Sequence, residues 1–381
     1  MHNPQIIVSS GGPFHAYHLA RGVQGAGYLK RFIVGYYDPR EQGIDRSRVK
    51  QILFAEAVGQ ALWRLPGAGT LYFSYVLHNN LFDFLARPYV DGGDIFHVFN
   101  HFGLYSMRRA KQLGMKTIVE RSGAHPASAH RILADEYVRF GLQFPRSSQW
   151  VEEKAVLEFE EADAIFVPSK FVWRTLVEEG VEESKLRQLH FGFAPDRFVA
   201  DPNLRSDNVF RVIFVGTVSL QKGVHYLLEA FKRLQLPNAE LLLVGGEFKD
   251  SQPFLPRYEG LYRRIPFVPH EKLSELYNSS SVFVLPSLQD GFGMVVYEAA
   301  ACGLPLIITE NVGAEIRDGQ DGFVVPIRDI DALADRLLCL YNNKHLRREM
   351  GQSAHDYVQQ FTWQAYHQQL ISQYDDLLQQ S

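Results

Sequence analysis

Cysteine is almost missing from this chain: Cys302 and Cys339 are the only two among 381 residues. They show neither a metal-ligand spacing nor a disulfide framework, so a stapled secreted scaffold and a cysteine zinc module are excluded and a reducing compartment is expected. Cys302, inside the apolar run AACGLPLII, reads as a small buried residue rather than a reactive thiol. Long apolar runs are missing too. Nowhere do 18 apolar residues follow one another, which excludes a membrane-spanning helix, and the opening MHNPQIIVSS has neither a charged leader nor a long apolar stretch. The expected location is cytoplasmic. A basic excess is also lacking. A formal charge of -4 and a pI near 6.4 argue against a nucleic-acid partner, whose phosphates demand a strongly basic surface.

What is present is the composition of an ordinary globular protein, 46% hydrophobic and 22% charged. A chain of this length exceeds what one hydrophobic core usually supports, so two domains are expected. Charge divides unevenly between them. Residues 1–150 hold 17 basic and 10 acidic side chains, which makes the front of the chain the electropositive part.

Short apolar runs bounded by glycine alternate with stretches of helical periodicity. Gln5 to Val8 breaks at Ser9-Ser10-Gly11-Gly12-Pro13 and is followed by helical spacing from His18 to Val23, the first half of a βαβ unit. Further runs lie at Phe32 to Tyr36, Ile95 to Phe99, Thr117 to Glu120 and Ala164 to Val167, with a helical stretch at Ser106 to Leu113. The second half repeats the pattern: Arg211 to Val215 ends at Gly216, His225 to Leu234 is amphipathic, and Glu240 to Val244 ends at Gly245-Gly246. Val282 to Leu285 and Leu306 to Thr309 look like buried parallel strands. The fold class implied is α/β, with a doubly wound, Rossmann-like sheet in each half. Polar, aperiodic Asp201 to Asn208 is the expected linker, giving domains at 1–200 and 209–360, and the Gln-rich tail at 361–381 reads as a helix packed on the body.

Two motifs carry chemistry. In VGTVSLQKG, Val215 to Gly223, glycine permits close approach of backbone to a ligand, a helix start offers free N-H groups, and Lys222 adds a full positive charge, a combination suited to phosphate. The alternative is a plain strand-to-helix turn with a solvated lysine. In PSLQDGFGMVVYEAAACGLP, Pro286 to Pro305, Asp290 and Glu298 stand either side of Gly291 and Gly293. The carboxylate can accept from sugar hydroxyls, while the amides of Phe292, Met294 and Val295 at a helix N-terminus can face phosphate. The plainer alternative makes Asp290 a helix cap and Glu298 a surface residue.

Together with FVPHEKLSELY, VGAEIRDGQDGFVVPIRDIDALADRL and FTWQAYHQQLISQY, these segments resemble, in order and spacing, the C-terminal domain of the retaining glycosyltransferases of family 4. The resemblance is strong over about 170 residues and extends weakly forward through IFVPSKFVWRTLVEEGV and HFGFAPDRF. It implies the GT-B architecture: two Rossmann-like domains facing across a cleft, the acceptor on the first, the nucleotide-sugar donor on the second, and a final helix crossing back to the first. Carried over by residue, it implies that Lys222 binds the donor diphosphate, Glu298 the ribose, Asp290 the transferred sugar, and the backbone at Val268 the base. Gly11 and Gly12 fall at the loop that closes over the phosphates, and His125, in VERSGAHP, lines the sugar subsite; a satisfied structural histidine is the alternative there. His97 and His101 read as structural, with His101 able to reach an acceptor. Two departures stand out. Asp290 replaces the usual first glutamate, and Thr217 replaces the arginine expected after the strand glycine, so that Lys222 carries more of the diphosphate charge or another cation, with Arg263 and Arg264 as candidates, enters the cleft.

No cofactor is expected beyond the nucleotide-sugar co-substrate, UDP- or GDP-linked. Asp329-Ile-Asp331 has the spacing of a metal-binding acid pair but reads as a helix N-cap with an acidic first-turn neighbour, so no metal is expected. The acceptor is an unspecified hydroxyl compound, a glycan, a lipid-linked sugar or a small molecule, which fits polysaccharide or glycoconjugate synthesis. Arg40, Arg46, Arg48 and Lys50 precede apolar Ile52, Leu53, Phe54, Leu62 and Trp63. A solvated helix face is the simpler reading, and a basic amphipathic helix resting on anionic lipid at the inner membrane face is the other. The rival functions are a non-catalytic sugar-nucleotide-binding protein and another GT-B enzyme such as a sugar-nucleotide epimerase.

Overall fold

The computed structural model describes residues 3–12, 15–63, 68–144, 149–205 and 208–380. The first half builds a parallel sheet from β1 (Ile6–Ser10), β2 (Leu29–Val34), β3 (Val49–Gln51), β4 (Ile95–Phe99), β5 (Lys116–Glu120), β6 (Ala164–Val167) and β7 (Leu186–Gln188), in the order β3-β2-β1-β4-β5-β6-β7. The second half repeats the plan with β8 (Phe210–Val215), β9 (Ala239–Val244), β10 (Arg263–Ile265), β11 (Val282–Leu285), β12 (Leu306–Thr309) and β13 (Gly322–Val325), in the order β10-β9-β8-β11-β12-β13. The doubly wound expectation therefore holds for both halves, and the strand order reverses between β1 and β4 and between β8 and β11.

The central strands were readable because helices cover both faces of a parallel sheet and leave continuous apolar runs. The sequences VFVL of β11 and LIIT of β12 are buried at every position, and β4 pairs with β5 from Ile95↔Lys116 to Phe99↔Glu120. Edge strands gave no such signal. β3, β7 and β10 have three residues each, VKQ, LRQ and RRI, and of these only Leu186 is buried.

The basic residues ahead of Ile52 do not belong to an amphipathic helix: Arg46–Arg48 is a 3-10 turn, Lys50 lies in β3, and the helix starts at Leu53. Arg46 stacks over Tyr37, Lys50 over Tyr89, Arg48 pairs with Asp45 and Arg40 with Asp38, so all four cations are held by their own fold. Among the described residues no helix is long and apolar enough to cross a membrane. Asp329 caps the helix Ile330–Asn342 by accepting from the Ala332 amide at 2.8 Å. Cys302 is buried, and burial pushes its thiol up to about 11.

The last helix, Trp363–Gln379, starts on a Thr362 cap and buries Tyr366, Leu370, Tyr374 and Leu377. It lies against the first half. Trp363 stacks on His18 at 3.6 Å, His367 donates to the His18 carbonyl at 2.8 Å, and Gly22 leaves room for the His367 ring. Deeper in, Tyr374 shares a 2.7 Å hydrogen bond with His97, which also lies 3.1 Å from buried Glu120. The helix is thus part of the first core. Leu370 is fully buried, so Leu370→Ala is expected to remove about 2–5 kcal/mol of stability, read as a lower midpoint in guanidinium unfolding. An unchanged midpoint would contradict this packing role.

Candidate active site

In doubly wound sheets, ligands bind outside the carboxyl ends of strands where the order reverses. β8 and β11 flank that point in the second sheet, and their following loops are the two sequence motifs. Leu288 donates to the Gln221 carbonyl at 2.9 Å, tying one loop to the other. Lys222 Nζ reaches Asp290 Oδ2 at 2.5 Å, with side chains 22% and 18% exposed. The pair is therefore open to solvent on one side.

Glycines make this approach possible. Gly223, the N-cap of helix Val224–Leu234, has φ 64°, and a Cβ there would lie 1.9 Å from the Pro286 carbonyl oxygen. Gly293, the N-cap of helix Met294–Ala301, has φ 65°. Neither helix is capped by a side chain, so both present first-turn N-H groups toward the loops. Phe292 packs on Phe191 of the first half, just after β7, at 4.9 Å and on Tyr297 at 5.0 Å, which fixes the turn that carries Asp290. Met294 and Val295 open the helix and are partly buried.

Glu298 is buried and accepts from the Tyr277 hydroxyl at 3.1 Å; the surface reading of this residue is wrong. Asp290 does not cap the helix, since Gly293 occupies that position, and its carbonyl accepts from Gly313 at 2.8 Å. Thr217 follows Gly216 at the end of β8, and the neighbouring turns are in backbone contact, because a Cβ on Gly245 would meet the Gly216 oxygen at 2.1 Å. Val268 lies partly buried between β10 and the helix His270–Asn278. Arg263 and Arg264 are engaged elsewhere, with Glu240 at 3.5 Å and Glu247 at 2.6 Å.

From the first half, Gly11 and Gly12 follow β1 at its own point of reversal. A Cβ on Gly11 would run into the Phe102 ring, and Ser10 Oγ donates to the Gly12 carbonyl at 2.6 Å. His125 caps the helix Pro126–Arg139, its Nδ1 accepting from Ala127 at 3.2 Å, and it is 5% exposed. Burial holds its ring at about 4, so it is neutral at pH 7. His101 is half-buried with φ 77°, against the Arg121 guanidinium at 3.0 Å. Burial and that cation hold it at about 3.

The two halves meet at the site itself. A Cβ on Gly291 would lie 1.8 Å from the Ser122 carbonyl oxygen, Ser169 donates to the Gly291 carbonyl at 2.7 Å, and Arg174 donates to Asn311 at 2.7 Å. Sequence reasoning missed these residues, and it missed Glu136, whose carboxylate receives His225, Tyr226 and Arg328 from the second half at 2.7–2.9 Å. These partners are 89 to 192 residues away in the chain, and nothing local marks such a pairing. The order VERSGAHP and VPSK did lie inside the quoted segments, so a search for small residues after strands β5 and β6 was the available signal for Ser122 and Ser169.

Residues 209–343 match the model of the family described as Glycosyl transferases group 1. The capsular polysaccharide biosynthesis glycosyltransferase CapM of Staphylococcus aureus is 28% identical over 243 residues, 58% of this chain and 64% of that one. This chain spans 42–64% of the length of the curated relatives it matches. Sucrose-phosphate synthase of Thermosynechococcus elongatus superposes with a TM-score of 0.73 at 20% identity, over 99% of this chain and 100% of that chain. HepE of Anabaena, solved with UDP and glucose, gives 0.67 at 16% identity, over 98% of this chain and 100% of that chain. The likeness to these two structures is one of fold, the GT-B architecture.

Three histidines of the first half set a pH dependence. Burial holds His18 and His101 at about 3 and His125 at about 4, against 6.5 for a free imidazole. An unfolded chain therefore binds protons that the folded one refuses, so stability falls as pH drops through about 6.5 toward those values. Glu120 and Glu136, each held at about 2 despite burial by their hydrogen-bonded partners, add a loss of the same sign below their ordinary 4.5. The expected outcome is a Tm that declines continuously from pH 7 to pH 4. A flat profile from pH 7 to 5 would contradict the buried neutral histidines.

Proposed function

We infer, from the Glycosyl transferases group 1 domain formed by residues 209–343, that this chain is a retaining glycosyltransferase acting on a nucleoside-diphosphate sugar. The observation that carries the reading is the Lys222–Asp290 pair, 2.5 Å apart and part-exposed between two uncapped helix N-termini. A diphosphate takes the place of Asp290 as the partner of Lys222, and the sugar hydroxyls take the place of Lys222 as the partner of Asp290. Glu298 lies one helical stretch deeper and suits the ribose, with the backbone at Val268 facing the base. Gly11 and Gly12 approach the phosphates from the first half. His125, neutral and buried, lines the sugar subsite rather than moving a proton.

The first half, 1–200, then takes the acceptor hydroxyl, 209–360 takes the donor, and 361–381 straps back to the first. No carboxylate is placed as a covalent nucleophile by this reading. Front-face attack is assigned, with the departing phosphate receiving the acceptor proton and the protein acting through position and fixed charge. UDP is the favoured nucleotide because HepE, of the same fold, was solved with it, and polysaccharide synthesis is the favoured setting because CapM is named for it. The proposed location is cytoplasmic.

A charged contact at the reacting diphosphate contributes about 2.7–4 kcal/mol to the transition state. Lys222→Ala is therefore expected to slow release of nucleoside diphosphate by roughly 100- to 1,000-fold, measured by a coupled nucleotide assay with a mixed acceptor panel. Normal turnover by this variant would sink the assignment. For the donor itself, a thermal-shift series with UDP, GDP and ADP sugars should single out UDP, since a ligand at a hundred times its Kd stabilises by about 2.7 kcal/mol. A shift with GDP sugars alone would overturn the choice of base.

A further inference from the structure

Helix Pro126–Arg139 has 14 residues, a length of about 21 Å, and both its ends touch the second half. At its start the Ser122 carbonyl abuts Gly291, beside Asp290, and His125 forms the cap. Toward its end Glu136 Oε1 accepts from His225 Nε2 at 2.9 Å and from the Tyr226 hydroxyl at 2.7 Å. Its Oε2 accepts from Arg328 Nε at 2.7 Å. Arg328 also donates to the Ile132 carbonyl at 2.9 Å and pairs with Asp135 at 3.1 Å, and it holds φ 66°, a costly conformation for a residue with a side chain. Tyr137 donates to Asp250 at 2.7 Å, and Phe140 packs edge-on against His225 and Phe254.

Glu136 is fully buried. A buried carboxylate is tolerated only where its partners are complete, and every partner here comes from the other half of the molecule. Two of them, His225 and Tyr226, follow Lys222 by three and four residues, in the first turn of helix Val224–Leu234, where a negative charge also complements the helix dipole.

We propose that Glu136 is a positioning residue: its carboxylate fixes the Lys222 loop against the helix that starts at His125, holding the donor site in register with the first half. The proposal rests on the transferase reading above for its kinetic consequence but not for its structural one. The helix spans from the loop after β11 to the loops after β8 and β9, so its two contacts set the spacing between Asp290 and Lys222 from outside the second sheet. Removing the charge frees the second contact and leaves the first.

The test uses Glu136→Gln in the full chain, with Tyr226→Phe as a second variant that removes one hydroxyl and no packing. Amide hydrogen exchange in the unliganded protein is read first. Exchange at 224–231 and 126–139 is expected to rise at least tenfold in E136Q, with 294–301 unchanged, and to rise less in Y226F. Donor and acceptor kinetics come second: kcat falls about tenfold while KM for the acceptor stays put, and Glu136→Asp restores part of the loss. Unchanged exchange at both segments overturns the proposal whatever the activity. Raised exchange with unaltered kcat and KM also overturns it, since the contact is then a strut without effect on the site. If the wild-type chain moves no sugar, the transferase reading fails alone, and the exchange result still decides the role of Glu136.

Discussion

At Gly223, Gly245 and Gly291 the backbone of one loop touches the backbone of another at distances that exclude a side-chain carbon. The first contact joins the loops after β8 and β11, the second joins the turns after β8 and β9, and the third joins the second half to the Ser122 turn of the first. The charged pair of the site hangs from these approaches. Lys222 stands next to Gly223, and Asp290 stands next to Gly291. A methyl group at either glycine forces the carbonyl opposite to move, and with it the charged neighbour, because close-packed backbone has no slack to absorb the displacement.

The buried and the open charges in this structure do different work. Glu120 and Glu136 sit in the interior with their partners assembled around them, and removing one partner strands a desolvated charge. Lys222 and Asp290 are part-exposed, and an ion pair at that exposure contributes little to stability. That weakness suits a binding site. A ligand that brings two negative phosphates and several hydroxyls can separate the pair at small cost, whereas it could not separate Glu136 from Arg328. The fold spends its rigid electrostatics on relating the halves and keeps its exchangeable pair at the mouth.

The strands at the centre of each sheet were legible in the sequence because burial on both faces leaves apolar runs such as VFVL and LIIT with glycine after them. The charged or three-residue edges were not, since a strand paired on one side only has no pattern to show. The chemistry followed the same division. Lys222, Asp290 and the intervening glycines were visible because a turn that brings backbone to a ligand needs those residue types near one another in the chain. Glu136 was invisible because it lies in the middle of an ordinary helix and its meaning comes from residues 89 and 192 positions further on. Arg263 and Arg264 misled for the opposite reason. Their charge is plain in the sequence, but Arg263 pairs with Glu240 on β9 and Arg264 with Glu247, in the loop after β9 that bridges to Val218.

Thr217 still leaves a question of charge. An arginine after the strand glycine would place a full cation near a leaving diphosphate, and the two arginines of β10 are occupied. The fold offers another source. Helices Val224–Leu234 and Met294–Ala301 both begin at left-handed glycines without side-chain caps, and each N-terminus carries the equivalent of roughly half a positive charge. Two such ends flanking Lys222 supply about the charge of the missing side chain, as fixed dipoles that need no reorganisation when negative charge develops. On the proposed reading the same glycines that let the loops meet also leave two helix ends open, so the tight backbone and the site's positive potential have one cause.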